Sequence, residues 1–132
     1  MSEHPNAARV RKLFTAFHDR EVDTIREAVS EDAIWHFPGT DGALAGEHRG
    51  HDGIFTFLLR VGELTDGTFA LDLEDVVANE QTAVALFRGH GQRSDGRRLD
   101  NPTCLRIRLE NGKAVEIHEF VWNLYAVEEF WR

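Results

Sequence analysis

The second half of the chain alternates apolar and polar residues in the way that predicts β-strands. Leu105, Ile107 and Leu109 are separated by single arginines, so one face of this strand is expected to be buried and the other to meet solvent. An Asn-Gly pair at residues 111–112 follows and favours a tight hairpin turn. Four strands are predicted, over residues 68–78, 81–92, 98–110 and 114–125. Their short connections predict an antiparallel meander.

The first half predicts three helices instead. Pro5 suits a first helical turn, and apolar residues follow it at helical spacing until about His18. A shorter second helix comes next, and a third is expected to begin at His51 with Asp52 as its N-cap. The apolar positions that define the three helices are Val10, Leu13, Phe14 and Phe17, then Val22, Ile25 and Val29, then Ile54, Phe55, Leu58 and Leu59.

Between the second and third helices, residues 33–37 (AIWHF) predict a short aromatic strand, and residues 39–50, which include four glycines, predict a loop. Helices followed by long antiparallel strands indicate an α+β fold, in which three N-terminal helices pack on one face of a strongly bent, mostly antiparallel sheet. Such a layout encloses a conical, largely apolar pocket of the kind that binds small molecules. A length of 132 residues predicts one domain over residues 1–132.

Composition excludes several classes of function. The net charge of −8 argues against nucleic acid as a partner, because phosphate binding needs clustered cations. No apolar run approaches the roughly 20 residues of a membrane span, and a cytoplasmic protein without a membrane partner is expected. Cys104 is the single cysteine, so it has no partner for an intramolecular disulfide. His36, His48 and His51 have no familiar metal-ligand spacing, and neither a metal nor another cofactor is expected.

Glu119 is the sharpest indication of chemistry in the sequence. The last predicted strand puts it on the same face as Val115, Ile117 and Val121. A carboxylate on an apolar face costs several kcal/mol unless it is paired or protonated. Burial would raise its pKa toward neutrality, as a general base requires. The alternative is that the strand twists and Glu119 pairs with an arginine or faces a dimer interface.

His36 and His118 are the other catalytic candidates, because histidine titrates near pH 7. His36 lies between Trp35 and Phe37, so on a strand it points away from a cavity that those two rings line. His118 precedes Glu119 and faces the opposite side on a regular strand. A hydrogen-bonded core or interface role is the alternative for both histidines.

The order of segments resembles the nuclear-transport-factor-two-like superfamily, and within it the bacterial SnoaL-like proteins. The resemblance runs over residues 7–131 and is carried by the segments DAIWHFPG, HDGIF, NGKAVEIHEF and YAVEEFW. This superfamily includes ketosteroid isomerases, polyketide cyclases, epoxide hydrolases and non-catalytic binding or dimerisation modules, so the fold alone does not give the function. The resemblance also implies a homodimer through the outer face of the sheet, with which the apolar residues on both faces of residues 82–87 are compatible.

The catalytic residues of these subfamilies carry over only in part. Ketosteroid isomerases have an Asp, a Tyr and a second Asp where this chain has Phe37, Leu13 and Cys104, which disfavours that mechanism. Epoxide hydrolases use an Asp-Arg-Asp arrangement, and no inward Asp is evident beside Arg106 or Arg108. SnoaL-type cyclases place an acid near the end of the last strand. Asn123 stands where relatives often have Asp, which leaves Glu119 alone as the base.

The resemblance implies a pocket wall of aromatic and aliphatic side chains, although core packing would explain each of them singly. From their position at the end of the predicted last strand, Asn123 and Tyr125 are expected to donate hydrogen bonds to a carbonyl oxygen. The expected wall residues are Phe14, Phe17, Trp35, Phe37, Leu58, Trp122 and Tyr125.

The first hypothesis for the function is a cofactor-independent isomerase, aldol-type cyclase or dehydratase that acts on a small apolar carbonyl compound, with Glu119 as base. A non-catalytic ligand-binding or dimerisation module is the alternative, and an epoxide hydrolase is the second alternative.

Overall fold

The computed structural model describes residues 3–132 and contains, over that range, four helices and one six-stranded sheet. The elements in chain order are α1 (Pro5–Asp19), α2 (Val22–Ala28), β1 (Val29–Phe37), β2 (Gly46–Arg49), α3 (Gly50–Leu64), β3 (Ala70–Ala78), β4 (Thr82–Gln92), β5 (Arg98–Glu110), β6 (Lys113–Val121) and α4 (Leu124–Trp131).

The sheet has the strand order β2-β1-β6-β5-β4-β3, and every neighbouring pair is antiparallel except β1 and β6. The meander predicted for the second half of the chain is therefore confirmed. Alternate residues of β5 are buried under the helices, and Ile107 at its centre is fully enclosed. The expected α+β cone, with its N-terminal helices packed on one face of a mostly antiparallel sheet, is confirmed as well.

The turn between β5 and β6 has the backbone that its sequence predicts. Asn111 and Gly112 have φ values of 52° and 78°, and this two-residue turn needs positive φ at both positions. Asn tolerates the left-handed region better than most residues and Gly has no penalty there, so the pair fixes the register of the hairpin.

A β-bulge near the start of β6 changes one detail of the predicted inner face. Arg108 pairs with Glu116 while Leu109 pairs with Ala114, so Val115 is an extra residue on β6. The prediction that Val115 shares the face of Glu119 was wrong, because the bulge puts Ala114 in phase with Ile117 and Glu119 instead. Ala114 and Ile117 are both buried.

Several element boundaries also differ from the prediction. The second helix ends at Ala28, and Val29 already belongs to β1, which is longer than the predicted residues 33–37. The glycine-rich segment contains β2, which forms because it pairs with residues 34–37 of β1. Arg49, not Asp52, occupies the N-cap position of α3, and Asp52 lies in its first turn.

The predicted last strand, residues 114–125, was too long. β6 ends at Val121, and the Asn123 side chain accepts a hydrogen bond from the Ala126 backbone N–H at 3.1 Å. This N-cap begins α4, whose residues Val127, Phe130 and Trp131 are buried at helical spacing. Within residues 3–132, no helix is long and apolar enough to cross a membrane.

Candidate functional site

A cavity of about 1040 Å³ lies between the helices and the inner face of the sheet. Five of the predicted wall residues line it, one or two from each of three elements: Phe14 and Phe17 of α1, Trp35 and Phe37 of β1, and Leu58 of α3. Further rings from α3, β4 and α4 complete the wall, namely Phe55, Phe57, Phe87 and Trp131, together with Phe69 just before β3.

The rings of the wall contact one another edge-on or at a tilt. Trp35 lies between Phe17 and Phe57, with ring centroids 5.8 and 5.1 Å away. Phe14 packs against Phe87 at 5.1 Å, which links α1 to the sheet. These are favourable aromatic geometries, so the wall is a packed layer around a hollow.

Glu119 points into this cavity from β6. Its Oε1 accepts a hydrogen bond from the indole N–H of Trp35 at 3.1 Å, and its cross-strand neighbour is the buried Leu105. Glu119 is half-buried and lines the hollow. Burial raises the pKa of Glu119 to about 7, although the hydrogen bond from Trp35 opposes the shift.

Every other ionisable side chain of the cavity wall, within the part of the chain that the structure describes, is exposed at the rim. The set consists of His18, Arg20, Arg26, Glu63 and Asp66. Among the described residues, Glu119 is therefore the only ionisable side chain in the interior of the cavity.

Two buried polar residues of the wall, Asn101 and Thr103, were not predicted. The Thr103 hydroxyl donates to the Asn101 carbonyl oxygen at 3.1 Å, and the Asn101 side-chain oxygen accepts from the Asn123 backbone N–H at 3.3 Å. Both residues are in phase with Leu105 on the inner face of β5. Polar residues in apolar phase were the signal that singled out Glu119, and the same signal marks these two.

His36 and His118 lie on the opposite, outer face of the sheet. They are direct partners across β1 and β6, and their rings stack with centroids 4.1 Å apart. Because successive strand residues alternate between faces, neither ring reaches the cavity that Trp35 and Glu119 line. This placement corrects the prediction that His36 and His118 are catalytic residues of the cavity.

Trp122, Asn123 and Tyr125 do not line the cavity either. The side chains of Trp122 and Tyr125 are 83% and 88% exposed, and Asn123 is engaged as the N-cap of α4. The strand that was expected to carry them inward ends at Val121. Val127 and Trp131 of α4 contribute to the wall in their place.

Comparison with known proteins places the chain beside SnoaL-like proteins. Residues 10–117 match the family model described as SnoaL-like domain. The uncharacterised protein Rv0034 of Mycobacterium tuberculosis is 29% identical over 132 residues, which cover 99% of both chains.

Solved structures share the fold of this chain. Bal32a, from a soil-derived mobile gene cassette, is 35% identical, with a TM-score of 0.91 over 96% of both chains. A candidate SnoaL-like polyketide cyclase from Jannaschia has a TM-score of 0.81 over 99% of this chain and 96% of its own. At 19% identity, the Jannaschia protein shares the fold alone.

Proposed function

Since the chain belongs to the SnoaL-like family and has its small-molecule pocket, we propose that it is a cofactor-independent acid–base enzyme for an apolar, carbonyl-containing molecule. One observation carries the proposal: Glu119 is enclosed in an aromatic cavity, and burial raises its pKa to about 7. A general base is most effective when its pKa lies near the working pH, so this carboxyl group suits proton abstraction at neutrality.

The proposed step uses the two carboxylate oxygens differently. Trp35 holds Oε1 by its hydrogen bond, which leaves Oε2 to meet a ligand. Oε2 would take a proton from the carbon next to the ligand's carbonyl group. The electron pair of the broken C–H bond would form the C=C bond of an enolate, and the π pair of the C=O bond would move onto the carbonyl oxygen. In a ligand with a C=C bond beyond that carbon, return of the proton from Glu119 to the far end of the conjugated enolate shifts the double bond, which is isomerisation. Attack of the enolate carbon on a second carbonyl closes an aldol-type ring, and Glu119 returns its proton to the new alkoxide.

Thr103 replaces Asn123 and Tyr125 as the proposed donor to the enolate oxygen, because the Asn101 amide already donates to the Pro102 carbonyl at 3.0 Å and to the Thr103 hydroxyl at 3.4 Å. Thr103 lines the cavity on β5 and is across from Val121, two residues along β6 from Glu119. The Thr103 hydroxyl rotates freely about its C–O bond, so it can turn its proton from the Asn101 carbonyl to a ligand. A donor placed where charge develops stabilises the transition state more than the ground state.

Cavity size and lining support a polycyclic or aromatic substrate. A volume of about 1040 Å³ is at the upper end of the range for small-molecule pockets. The Jannaschia protein, a candidate polyketide cyclase, supports testing carbonyl compounds first.

The first test is titration of Glu119 by ¹³C NMR on protein labelled at glutamate carboxyl carbons, with Glu119→Gln to assign its resonance. We expect an apparent pKa near 7, well above those of exposed glutamates. A midpoint at or below 4.5 would remove the base and contradict the proposal.

The second test follows hydrogen–deuterium exchange at the carbon next to the carbonyl of bicyclic aryl ketones such as 1-tetralone in D₂O. Loss of a general base lowers the reaction rate about 10²–10⁴-fold. With E119Q, hydrogen–deuterium exchange of the ketone should therefore be slower by that factor than with the native chain. The matched control is Glu110→Gln on the exposed end of β5, which should exchange at the native rate.

A non-catalytic binding module is the second candidate, and the absence of another ionisable side chain inside the described cavity favours it. Under that function, ketones would quench the intrinsic tryptophan fluorescence equally in the native chain and in E119Q, without exchange in either. Epoxide opening has less support, because Arg106 and Arg108 are exposed on β5 and Arg20 and Arg26 lie at the rim.

A further inference from the structure

We propose that His36, Glu116 and His118 form a binding site for a divalent transition-metal ion of the zinc type, on the outer face of the sheet. The site is distinct from the cavity, because the strands β1 and β6 separate it from Glu119. It therefore goes beyond the proposed function and does not depend on it.

The register of two strands brings the three side chains together. Glu116 and His118 are two residues apart on β6 and so share a face, and β1 runs parallel with His36 opposite His118. Their ligand atoms all lie within 4.8 Å of one another. His36 Nε2 is 2.8 Å from Glu116 Oε2. Donor atoms around a tetrahedral zinc ion are about 3.3 Å apart. The His36 and His118 rings are nearly parallel, with an interplanar angle of 5°, so one ring must turn out of the stack before both nitrogen lone pairs point at one ion.

One outer partner of these ligands matches a common feature of metal sites. On its other ring nitrogen, Nδ1, His36 faces Glu47 Oε1 at 3.7 Å. A ligating histidine usually directs its second nitrogen to a carboxylate, which fixes the ring and makes it a better ligand. Arg49 holds that Glu47 carboxylate in turn, and Arg108 Nε lies 3.8 Å from the other oxygen of Glu116.

The chemistry of the donors indicates the metal. Two imidazoles and one carboxylate are a set that zinc accepts, with water in the fourth position. Hard cations such as Mg²⁺ and Ca²⁺ prefer oxygen ligands alone, and soft Cu(I) prefers sulfur. All three side chains are half-buried, so an ion can enter from solvent and still be held by ordered groups.

Isothermal titration of tag-free, chelator-treated protein with Zn²⁺ tests the site, and Co²⁺ absorption in the visible range reports the ligand geometry. We expect one saturable equivalent per chain. His118→Ala and Glu116→Gln each remove a ligand, whereas Glu47→Gln removes only the partner of His36. Glu47→Gln should weaken binding about 10–100-fold, and the two ligand variants should weaken it further.

His90→Ala is the matched control, because it removes an imidazole that pairs with Asp72 at 3.1 Å on another part of the surface. H90A should bind Zn²⁺ like the native chain. Absence of saturable binding by the native protein would overturn the proposal and leave an ion pair and a ring stack only. Native-like binding by H118A or E116Q would overturn it too. Glu47 is exposed, so E47Q remains informative if a ligand variant does not fold.

Discussion

At the scale of single residues, the chain accepts an unfavourable group in its interior. Glu119 has one hydrogen bond from Trp35 and an otherwise apolar surround, which is not enough to hold a charged carboxylate at its ordinary pKa. Glu119 therefore stays protonated in the folded chain up to about pH 7. Stability alone would favour an apolar residue here, and this cost is the physical reason for assigning Glu119 a functional role.

The raised pKa of Glu119 predicts a specific dependence of stability on pH. Between pH 4.5 and 7 the folded chain keeps a proton that the unfolded chain loses, so the contribution of Glu119 to the free energy of unfolding falls as pH rises and levels off about one pH unit above the folded pKa. A shift from 4.5 to about 7 corresponds to about 3 kcal/mol. Glu119→Gln keeps an acceptor for Trp35 and has no proton to lose. Urea unfolding should show E119Q gaining about 3 kcal/mol relative to the native chain from pH 4 to pH 8.

The control for this prediction is Glu110→Gln, on the exposed end of β5. Its stability relative to the native chain should change little over the same pH range. A difference between E119Q and the native chain that is the same at pH 4 and pH 8 would contradict the raised pKa.

Alternation along a strand was sufficient to find Glu119, because a charged residue in apolar phase stands out in the sequence. The same rule applied to β5 would have found Asn101 and Thr103. Trp122 and Tyr125 can belong to the wall only if β6 continues to residue 125. Where a strand ends depends on a capping contact, here that of Asn123 with the Ala126 backbone, which leaves little trace in the hydrophobic pattern.

At the scale of elements, α4 closes one part of the cavity and is held at its C-terminal end by arginines. Arg97 Nη1 donates to the carbonyl oxygens of Glu129 and Arg132 at 2.8 and 2.9 Å, and Arg93 donates to that of Phe130 at 2.7 Å. The last carbonyl groups of a helix have no hydrogen-bond partner within it, and they carry partial negative charge. A guanidinium group both donates hydrogen bonds to these oxygens and places a positive charge beside them.

Arg97→Ala is predicted to loosen α4 without disturbing the sheet. Hydrogen bonds to a charged group contribute about 1.5–3 kcal/mol, so we expect a loss of about 2 kcal/mol in the free energy of unfolding. Amide exchange should accelerate in α4 by tenfold or more and stay unchanged in β5 and β6. Arg98→Ala, its exposed neighbour, is the control and should leave α4 protected. Equal exchange in the two variants would show that Arg97 does not anchor the helix.

Elements with a local signal were predictable, and elements that depend on distant partners were not. The Asn-Gly turn and the alternation of β5 depend only on residues that are neighbours in the sequence. β2 is a strand only because residues 34–37 pair with it, and the bulge at Val115 depends on the register against β5. The parallel pairing of β1 with β6 likewise has no local signature, so the juxtaposition of His36 and His118 was not predictable from either segment.

At the scale of the whole molecule, the outer face of the sheet exposes more apolar surface than a lone domain needs. Leu86, Cys104 and Phe120 form a row of cross-strand partners on β4, β5 and β6. Leu86 and Phe120 are 43% and 54% exposed, and Val77 of β3, on the same face, is 59% exposed. Contiguous exposed apolar residues on a sheet face are typical of a protein–protein interface.

We predict that the chain forms a homodimer through this apolar row, on the β3–β5 side of the outer face and away from the β1 side that carries His36, as its resemblance to the family implies. A two-fold interface brings the same patch of both copies together, so one charged substitution appears twice in the interface. Dimer formation would then have to desolvate two carboxylates, which is unfavourable. Phe120→Asp should therefore convert a dimer into a monomer in size-exclusion chromatography with light scattering. Val22→Asp, which charges a comparably exposed apolar residue on α2, should remain dimeric. A native chain that runs as a monomer at every concentration, or an F120D variant that stays dimeric, would exclude the outer face as the interface.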